Sequence, residues 1–106
     1  MHSFVVVRLD GAALVWADCP LGGALASLMH NALQQLTDDG VAPLVVDLVA
    51  VPAVDEDAIA VLAAAAGRAG RFGDGLELRL PRGRAHTVTD EPTVRAVLRD
   101  AYPATM

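Results

Sequence analysis

Three consecutive acidic residues, Asp55, Glu56 and Asp57, form the densest group of ionisable side chains in the sequence. They stand between an apolar segment and an alanine-rich segment, where we expect a buried strand to be followed by a helix. At that helix start, Asp55 would accept hydrogen bonds from backbone N–H groups, and Glu56 and Asp57 would interact favourably with the helix dipole. Such contacts together stabilise a helix by about 1–2 kcal/mol. The same three charges disfavour phosphate binding at this position.

A second group of possible chemistry is the cationic segment that contains Arg82, Arg84 and His86. Here Arg82 and Arg84 would be the anion-binding residues of a small-molecule or nucleotide site. No nucleophile, base and orienting group stand at a spacing suited to covalent catalysis. Neither Ser27 nor Cys19 lies in a catalytic motif, and we expect Cys19 to be a small buried side chain. The sequence therefore predicts no enzyme and no catalytic residues.

The composition gives no support for a metal or cofactor site. The chain has one cysteine, and His2, His30 and His86 are scattered singly, so no cluster has the spacing of metal ligands. All eight cationic side chains are arginine, which excludes a lysine Schiff base and the lysine of a P-loop. We therefore expect no cofactor.

Length and charge limit the domain organisation and the partners. A chain of 106 residues that is 54% hydrophobic predicts a single domain over residues 1–106. A net charge of −5 argues against nucleic acid as a partner. The longest uncharged apolar run, residues 58–66, is shorter than the ~20 residues that span a bilayer, and no signal peptide is recognisable. We expect a cytoplasmic protein without direct membrane insertion.

The apolar periodicity predicts the element order β-β-α-β-α-β-α. Two apolar runs, Phe4–Leu9 and Ala12–Ala17, flank an Asp-Gly turn and indicate a β-hairpin. A helix is predicted over residues 25–36. The run at 44–51 predicts a central strand covered on both faces, in which Asp47 must meet a hydrogen-bond donor or the end of the sheet. A second helix should start near Asp55 and weaken at Gly67 and Gly70.

The last part of the chain predicts one more strand, a loop and a helix. LELRL at 76–80 alternates with period two, residues 82–92 are predicted to form a loop, and a helix follows over 93–101. Strands that alternate with helices imply parallel crossovers beside the antiparallel first hairpin. The predicted fold class is α/β, a mixed four-stranded sheet with about three packed helices.

Four segments resemble those of the STAS domain, the fold of bacterial anti-sigma factor antagonists and of domains in anion transporters. LVVDLVAV is similar to the family's apolar strand with an internal Asp-Leu, and VDEDAIAVLAAAAGRAG to its switch loop and alanine-rich helix. LELRL and PTVRAVLRDA resemble a later strand and the last helix. The resemblance covers residues 44–101 well and the earlier elements only by order and length. It implies a STAS-like fold.

The resemblance also implies a protein-binding function. In the family, the switch loop commonly has the sequence Asp-Ser-Ser/Thr-Gly, and a kinase that is also an anti-sigma factor phosphorylates the second hydroxyl residue. Here Asp55 keeps the aspartate, Glu56 and Asp57 replace the hydroxyl residues, and Ala58 replaces the glycine. These four become the expected partner-binding residues. Without a phosphate acceptor, the resemblance implies a non-switchable or phosphomimetic antagonist in a bacterial partner-switching system that regulates transcription, with an anti-sigma factor or serine kinase-like protein as partner.

Other functions remain open from the sequence. A small cytoplasmic STAS subunit of a lipid-trafficking ABC transporter would need no phosphorylation and would copurify with an ATPase. An anion- or nucleotide-binding domain would use Arg82 and Arg84. A homodimer could form through the exposed side of the sheet, with Trp16 and the first hairpin as the contact.

Overall fold

A computed structural model describes residues 4–103 of the chain, and His2 lies outside them. Its elements are strands β1 (Phe4–Leu9) and β2 (Ala12–Ala17), helix α1 (Gly23–Asp38), strand β3 (Leu44–Asp47), helix α2 (Glu56–Phe72), strands β4 (Leu76–Arg79) and β5 (Ala85–Val88), and helix α3 (Glu91–Ala101). A single 3₁₀ turn, Pro81–Gly83, separates β4 from β5. The α/β class and the three helices are confirmed.

The five strands form one mixed sheet in the order β1-β2-β3-β4-β5. The pairs β1/β2 and β4/β5 are antiparallel, and β2/β3 and β3/β4 are parallel. The predicted hairpin and crossovers are confirmed, but the prediction of four strands is wrong. β5 occupies part of the segment predicted to be a loop. With Val88 as its one buried residue, this exposed strand lacks the apolar alternation by which strands are recognised.

The helices and the hydrophobic core lie on one face of the sheet. The two parallel crossovers advance across the sheet in the same direction, so right-handed connections place α1 and α2 on the same side. Val15, Val46 and Leu78 form a buried row on that face. The neighbouring row on the other face, Trp16, Asp47 and Arg79, is exposed or half-buried. The prediction that both faces of β3 are covered is therefore wrong.

The ends of two elements differ from the sequence prediction for local reasons. β3 stops at Asp47, whose Oδ1 accepts a hydrogen bond from the Val49 N–H at 3.0 Å, so this carboxylate meets both the expected donor and the end of a strand. α3 starts at Glu91 because Asp90 accepts from the Thr93 N–H at 2.8 Å. Pro92 in the first turn has no N–H to leave unpaired.

Candidate partner-binding surface

The N-terminal ends of α1 and α2 lie side by side because the segments before them pair. Leu21 and Val54 form an isolated parallel bridge. The Leu21 N–H donates to the Ala53 carbonyl at 2.9 Å, and the Asp55 N–H donates to the Leu21 carbonyl at 3.0 Å. α1 follows β2 and α2 follows β3, and these two strands are parallel, so both helices start at the carboxyl ends of the strands. The acidic segment therefore stands beside a second helix start.

Asp55 is the N-cap of α2, as predicted. Its Oδ1 accepts a hydrogen bond from the Ala58 N–H at 2.9 Å. Its Oδ2 lies against Gly22, the N-cap of α1, so closely that a Cβ on Gly22 would overlap with it. α1 has no side-chain hydrogen bond at its own N-cap. The Asp55 carboxylate therefore lies between two helix N-termini, and the dipoles of both helices favour its charge.

Glu56 and Ala58 are tied into the rest of the domain. Glu56 Oε2 pairs with Arg99 of α3 at 3.5 Å. Both side chains are exposed, and such pairs contribute about 0–1 kcal/mol. The Ala58 side chain is fully buried, and its N–H is already bonded to Asp55. Of these two residues, only Glu56 has a side chain that a partner could contact.

Asp57 lines a groove between α1 and α2. The groove has a volume of about 470 Å³, and its lining consists of Gly23, Ala26, Ser27, His30, Asn31, Asp57, Ala60 and Val61. Asp57 and His30 are both exposed. Within residues 4–103, no hydrogen bond or ion pair engages the Asp57 carboxylate. The groove thus brings a carboxylate, an imidazole, a hydroxyl and an amide together above small apolar side chains.

Three polar residues of this groove were not predicted as site residues. Ser27, His30 and Asn31 stand at the i, i+3, i+4 spacing of one helix face, and α2 repeats this spacing from Asp57. The spacing alone could have grouped the α1 residues. It could not show that their face of α1 lies opposite Asp57, because that depends on how the two helices pack.

The predicted anion-binding residues, Arg82 and Arg84, line a separate cleft at the carboxyl ends of β3 and β4. The cleft has a volume of about 580 Å³ and is also lined by residues 49–52, 81 and 100–103. Arg84 pairs with Asp100 at 3.2 Å. Arg82 adopts a left-handed conformation with φ 69°, which costs a residue other than glycine about 1–2 kcal/mol. His86 is not among the lining residues.

Tyr102 fixes one wall of this cleft. Its hydroxyl donates a shared hydrogen bond to two carbonyl oxygens. The oxygen of Val51 lies at 2.9 Å and that of Leu48 at 3.2 Å. Burial raises the pKa of Tyr102 to about 12. The shared hydrogen bond holds the segment after β3 against the end of α3. The cleft combines an apolar wall with two guanidinium groups, of which that of Arg84 is paired with Asp100.

The remaining candidates among residues 4–103 add no further site to the groove and the cleft. Cys19 is buried, as expected. In the described part of the chain, no three His, Cys, Asp or Glu side chains are grouped closely enough to hold a metal ion. No helix among residues 4–103 is long and apolar enough to cross a membrane.

Comparison with solved structures identifies the fold. The crystal structure of an anti-sigma factor antagonist from Mycobacterium paratuberculosis matches 97% of this chain and 84% of its own, with 23% sequence identity and a TM-score of 0.67. The chain has a STAS-like fold. A crystal structure of Mglu matches 74% of this STAS-like chain, with 22% identity and a TM-score of 0.63, and the chain spans 19% of that protein's length. No family model matches the sequence, and no curated protein does.

In this STAS-like domain the acidic segment follows β3 and forms the N-cap and the first two residues of α2. The resemblance of the sequence placed the family's switch loop at the same point. The STAS-like fold is confirmed by the shared structure, with five strands in place of the predicted four. The acidic residues stand where a surface loop of this fold meets a helix.

Proposed function

We propose that this STAS-like domain is a non-catalytic protein-binding module of the anti-sigma factor antagonist type. The observation that carries the proposal is the groove between α1 and α2, where Asp57 is exposed beside His30 and has no bonded partner among residues 4–103. The fold shared with an anti-sigma factor antagonist supports it. Asp57 and Glu56 are the proposed contact residues, and Asp55 sets the position of the two helix starts.

The chemistry of the groove favours binding over catalysis. Catalytic acids and bases are usually desolvated so that their pKa values match their task, whereas Asp57 and His30 are exposed to solvent. The buried thiol of Cys19 cannot act as an accessible nucleophile. A carboxylate on the rim of a groove instead attracts a cationic partner surface and speeds association.

The proposed module carries a fixed negative charge in place of a switched one. A phosphoserine at position 57 would carry about −1.5 to −2 charges, and the aspartate carries one. Residues 55–58 offer no hydroxyl to a kinase. We propose that the domain binds its partner constitutively, in the cytoplasm of a bacterium, within a partner-switching system that regulates transcription.

We expect Asp57→Arg to abolish capture of the partner. The protein is immobilised, incubated with lysate of its native host, and the retained proteins are identified by mass spectrometry. Charge reversal at the groove replaces attraction by repulsion, and a close charge pair at an interface is worth at least tenfold in affinity. The wild type should retain an ATP-binding anti-sigma factor, and Asp57→Arg should not.

Asp74→Arg is the matched control for this experiment. Asp74 is also an exposed aspartate, but it lies after the far end of α2. The variant should retain the same partner as the wild type. Recovery of a transporter ATPase would instead support a STAS subunit of a lipid-trafficking ABC transporter. A partner retained equally by both variants would refute a role for Asp57.

A second candidate function is anion binding in the cleft of Arg82 and Arg84. The specific observation is the left-handed backbone of Arg82, because strained residues of this kind cluster at binding sites. The cleft volume, about 580 Å³, lies within the range of small-molecule sites. Its apolar wall and its guanidinium groups suit an anion with an apolar body.

We expect Arg82→Ala to weaken binding of anilinonaphthalene sulfonate, a probe with an apolar body and one negative charge. Loss of one charged hydrogen bond should lower the affinity about tenfold in a fluorescence titration. Arg71→Ala removes an exposed arginine of α2 outside the cleft and is the control. Equal affinities of the two variants, or no competition by inorganic sulfate, would exclude the anion site.

A further inference from the structure

The edge strand β1 is apolar on both of its faces. Val5, Val6, Val7 and Leu9 are 44%, 39%, 48% and 71% exposed, although Val6 points to the helix side of the sheet and the other three to the open side. β1 pairs one-to-one with β2 over its whole length, without a bulge, and it contains no proline. An edge of this kind readily pairs with a further strand.

The opposite edge of the sheet differs in each of these respects. β5 has four residues, and its exposed positions are Ala85, His86 and Thr87. The single charge of β1, on Arg8, is bound to Asp39 at the end of α1 at 2.6 Å. That contact holds the pKa of Asp39 below its usual range. Only β1 therefore offers a long apolar edge.

The hairpin turn shows which backbone groups face this edge. Asp10 and Gly11 have φ values of 51° and 84°, as in a two-residue turn whose flanking pair, Leu9 and Ala12, exchanges both backbone hydrogen bonds. Bonding alternates along an antiparallel pair. The Ala13 N–H donates away from β1, to the Pro43 carbonyl at 3.0 Å, as this alternation requires. The N–H and C=O groups of its partner, Arg8, therefore point to the outer edge.

The same alternation turns the backbone groups of Val6 and Phe4 outward. We propose that two copies of the chain pair antiparallel through β1 and form one continuous ten-stranded sheet. In the register that centres on Val6, this residue lies opposite Val6 of the second copy, and Phe4 lies opposite Arg8. Every outward backbone group of these three residues then has a partner.

A second copy fits this edge because β1 is complementary to itself. On the open face, Val5 lies opposite Val7 of the second copy and extends the apolar surface that Leu14 and Trp16 begin on β2. On the helix face, Arg8 can keep its ion pair with Asp39 while its backbone pairs across the two-fold axis. No like charges meet in this register, so the pairing carries no electrostatic penalty.

The size of the contact predicts a weak and reversible dimer. The exposed parts of one β1 strand amount to roughly 300–400 Å² per copy, below the ~800 Å² per partner of a stable interface. Backbone hydrogen bonds add directionality to this small apolar area. We expect a dissociation constant of about 10–100 µM.

Sedimentation velocity of the full chain from about 5 to about 500 µM tests the proposal. The wild type should pass from monomer to dimer over this range. Val6→Lys places two ammonium groups opposite each other at the two-fold axis, and it should weaken the dimer at least about tenfold. Val6→Pro removes an outward N–H, which an edge strand tolerates, and it should have a similar effect.

Leu28→Lys is the control for general surface charge. Leu28 is 54% exposed but lies on α1 and not on β1. This variant should dimerise like the wild type, and circular dichroism should show an unchanged fold for all variants. A wild type that remains monomeric at the highest concentration would overturn the proposal. A dimer that tolerates Val6→Lys and dissociates with Leu28→Lys would overturn it as well.

Discussion

Gly70→Ala is expected to destabilise the domain by about 1–3 kcal/mol or more. A Cβ at this position would overlap with the Thr89 carbonyl oxygen and lie 2.9 Å from the carbonyl carbon. Both atoms belong to the backbone between β5 and α3, so no side-chain rotation can relieve the contact. α2 would have to move away from that segment and loosen its packing on α3.

Gly67→Ala, one turn earlier in α2, should have the opposite effect. A Cβ there would lie 3.6 Å from Glu91 Cγ, an ordinary contact. Alanine in a helix interior is favoured over glycine by about 0.5–1 kcal/mol. The same substitution at two glycines of one helix should therefore change the free energy of unfolding in opposite directions, as measured by urea denaturation. Equal effects would mean that Gly70 is not a close-contact site.

The low helix propensity of these two glycines does not end α2. Gly67 and Gly70 are expected from the sequence to weaken the end of the second helix, and α2 continues through both of them to Phe72. The buried face of α2, which includes Leu62 and Ala66, is stabilised by the sheet and the flanking helices. Tertiary packing outweighs a propensity cost of about 1 kcal/mol per glycine.

The elements that could be predicted are those with a clear turn signal or a clear repeat of apolar residues in the sequence. The hairpin has its Asp-Gly turn, and α1 and α2 have continuous apolar faces, so their types and order were predicted. β5 was missed because an edge strand with one buried residue has no apolar alternation to detect. The open face of the sheet was missed because a short apolar run such as that of β3 does not reveal whether one or two layers cover it.

The candidate surface also has features that could be predicted from local sequence and features that could not. The capping role of Asp55 follows from local sequence, and the structure has the predicted hydrogen bond to Ala58. The neighbours of Asp57 and the ion pair of Glu56 with Arg99 depend on contacts between helices that are remote in sequence. Three adjacent acids therefore have three different environments in the fold.

We expect Asp55→Ala to lower the free energy of unfolding by about 1–2 kcal/mol, because the N-terminus of α2 loses its cap. Asp55→Asn keeps a side-chain oxygen for the Ala58 N–H and removes the charge that lies beside the N-terminus of α1. Its cost should be smaller, about 0.3–1 kcal/mol, and should decrease in high salt. Denaturant unfolding measures both.

A double-mutant cycle between Asp55 and Gly22 tests whether the Asp55 side chain lies against the N-terminus of α1. Gly22→Ala alone forces a methyl group against the Asp55 carboxylate and should destabilise the domain. In the Asp55→Ala background the obstructing atoms are absent, so the same change should cost about 1 kcal/mol less. Additive costs would contradict the contact.

Substitutions at positions 55 and 57 distinguish a structural role from a role in partner recognition. Because the two oxygens of Asp55 face Ala58 and Gly22, Asp55→Asn should leave partner capture intact, whereas Asp57→Arg should abolish it. Loss of capture by Asp55→Asn in a protein of near-wild-type stability would assign the recognition to the charge at position 55. The position that changes binding without changing stability is the one that contacts the partner.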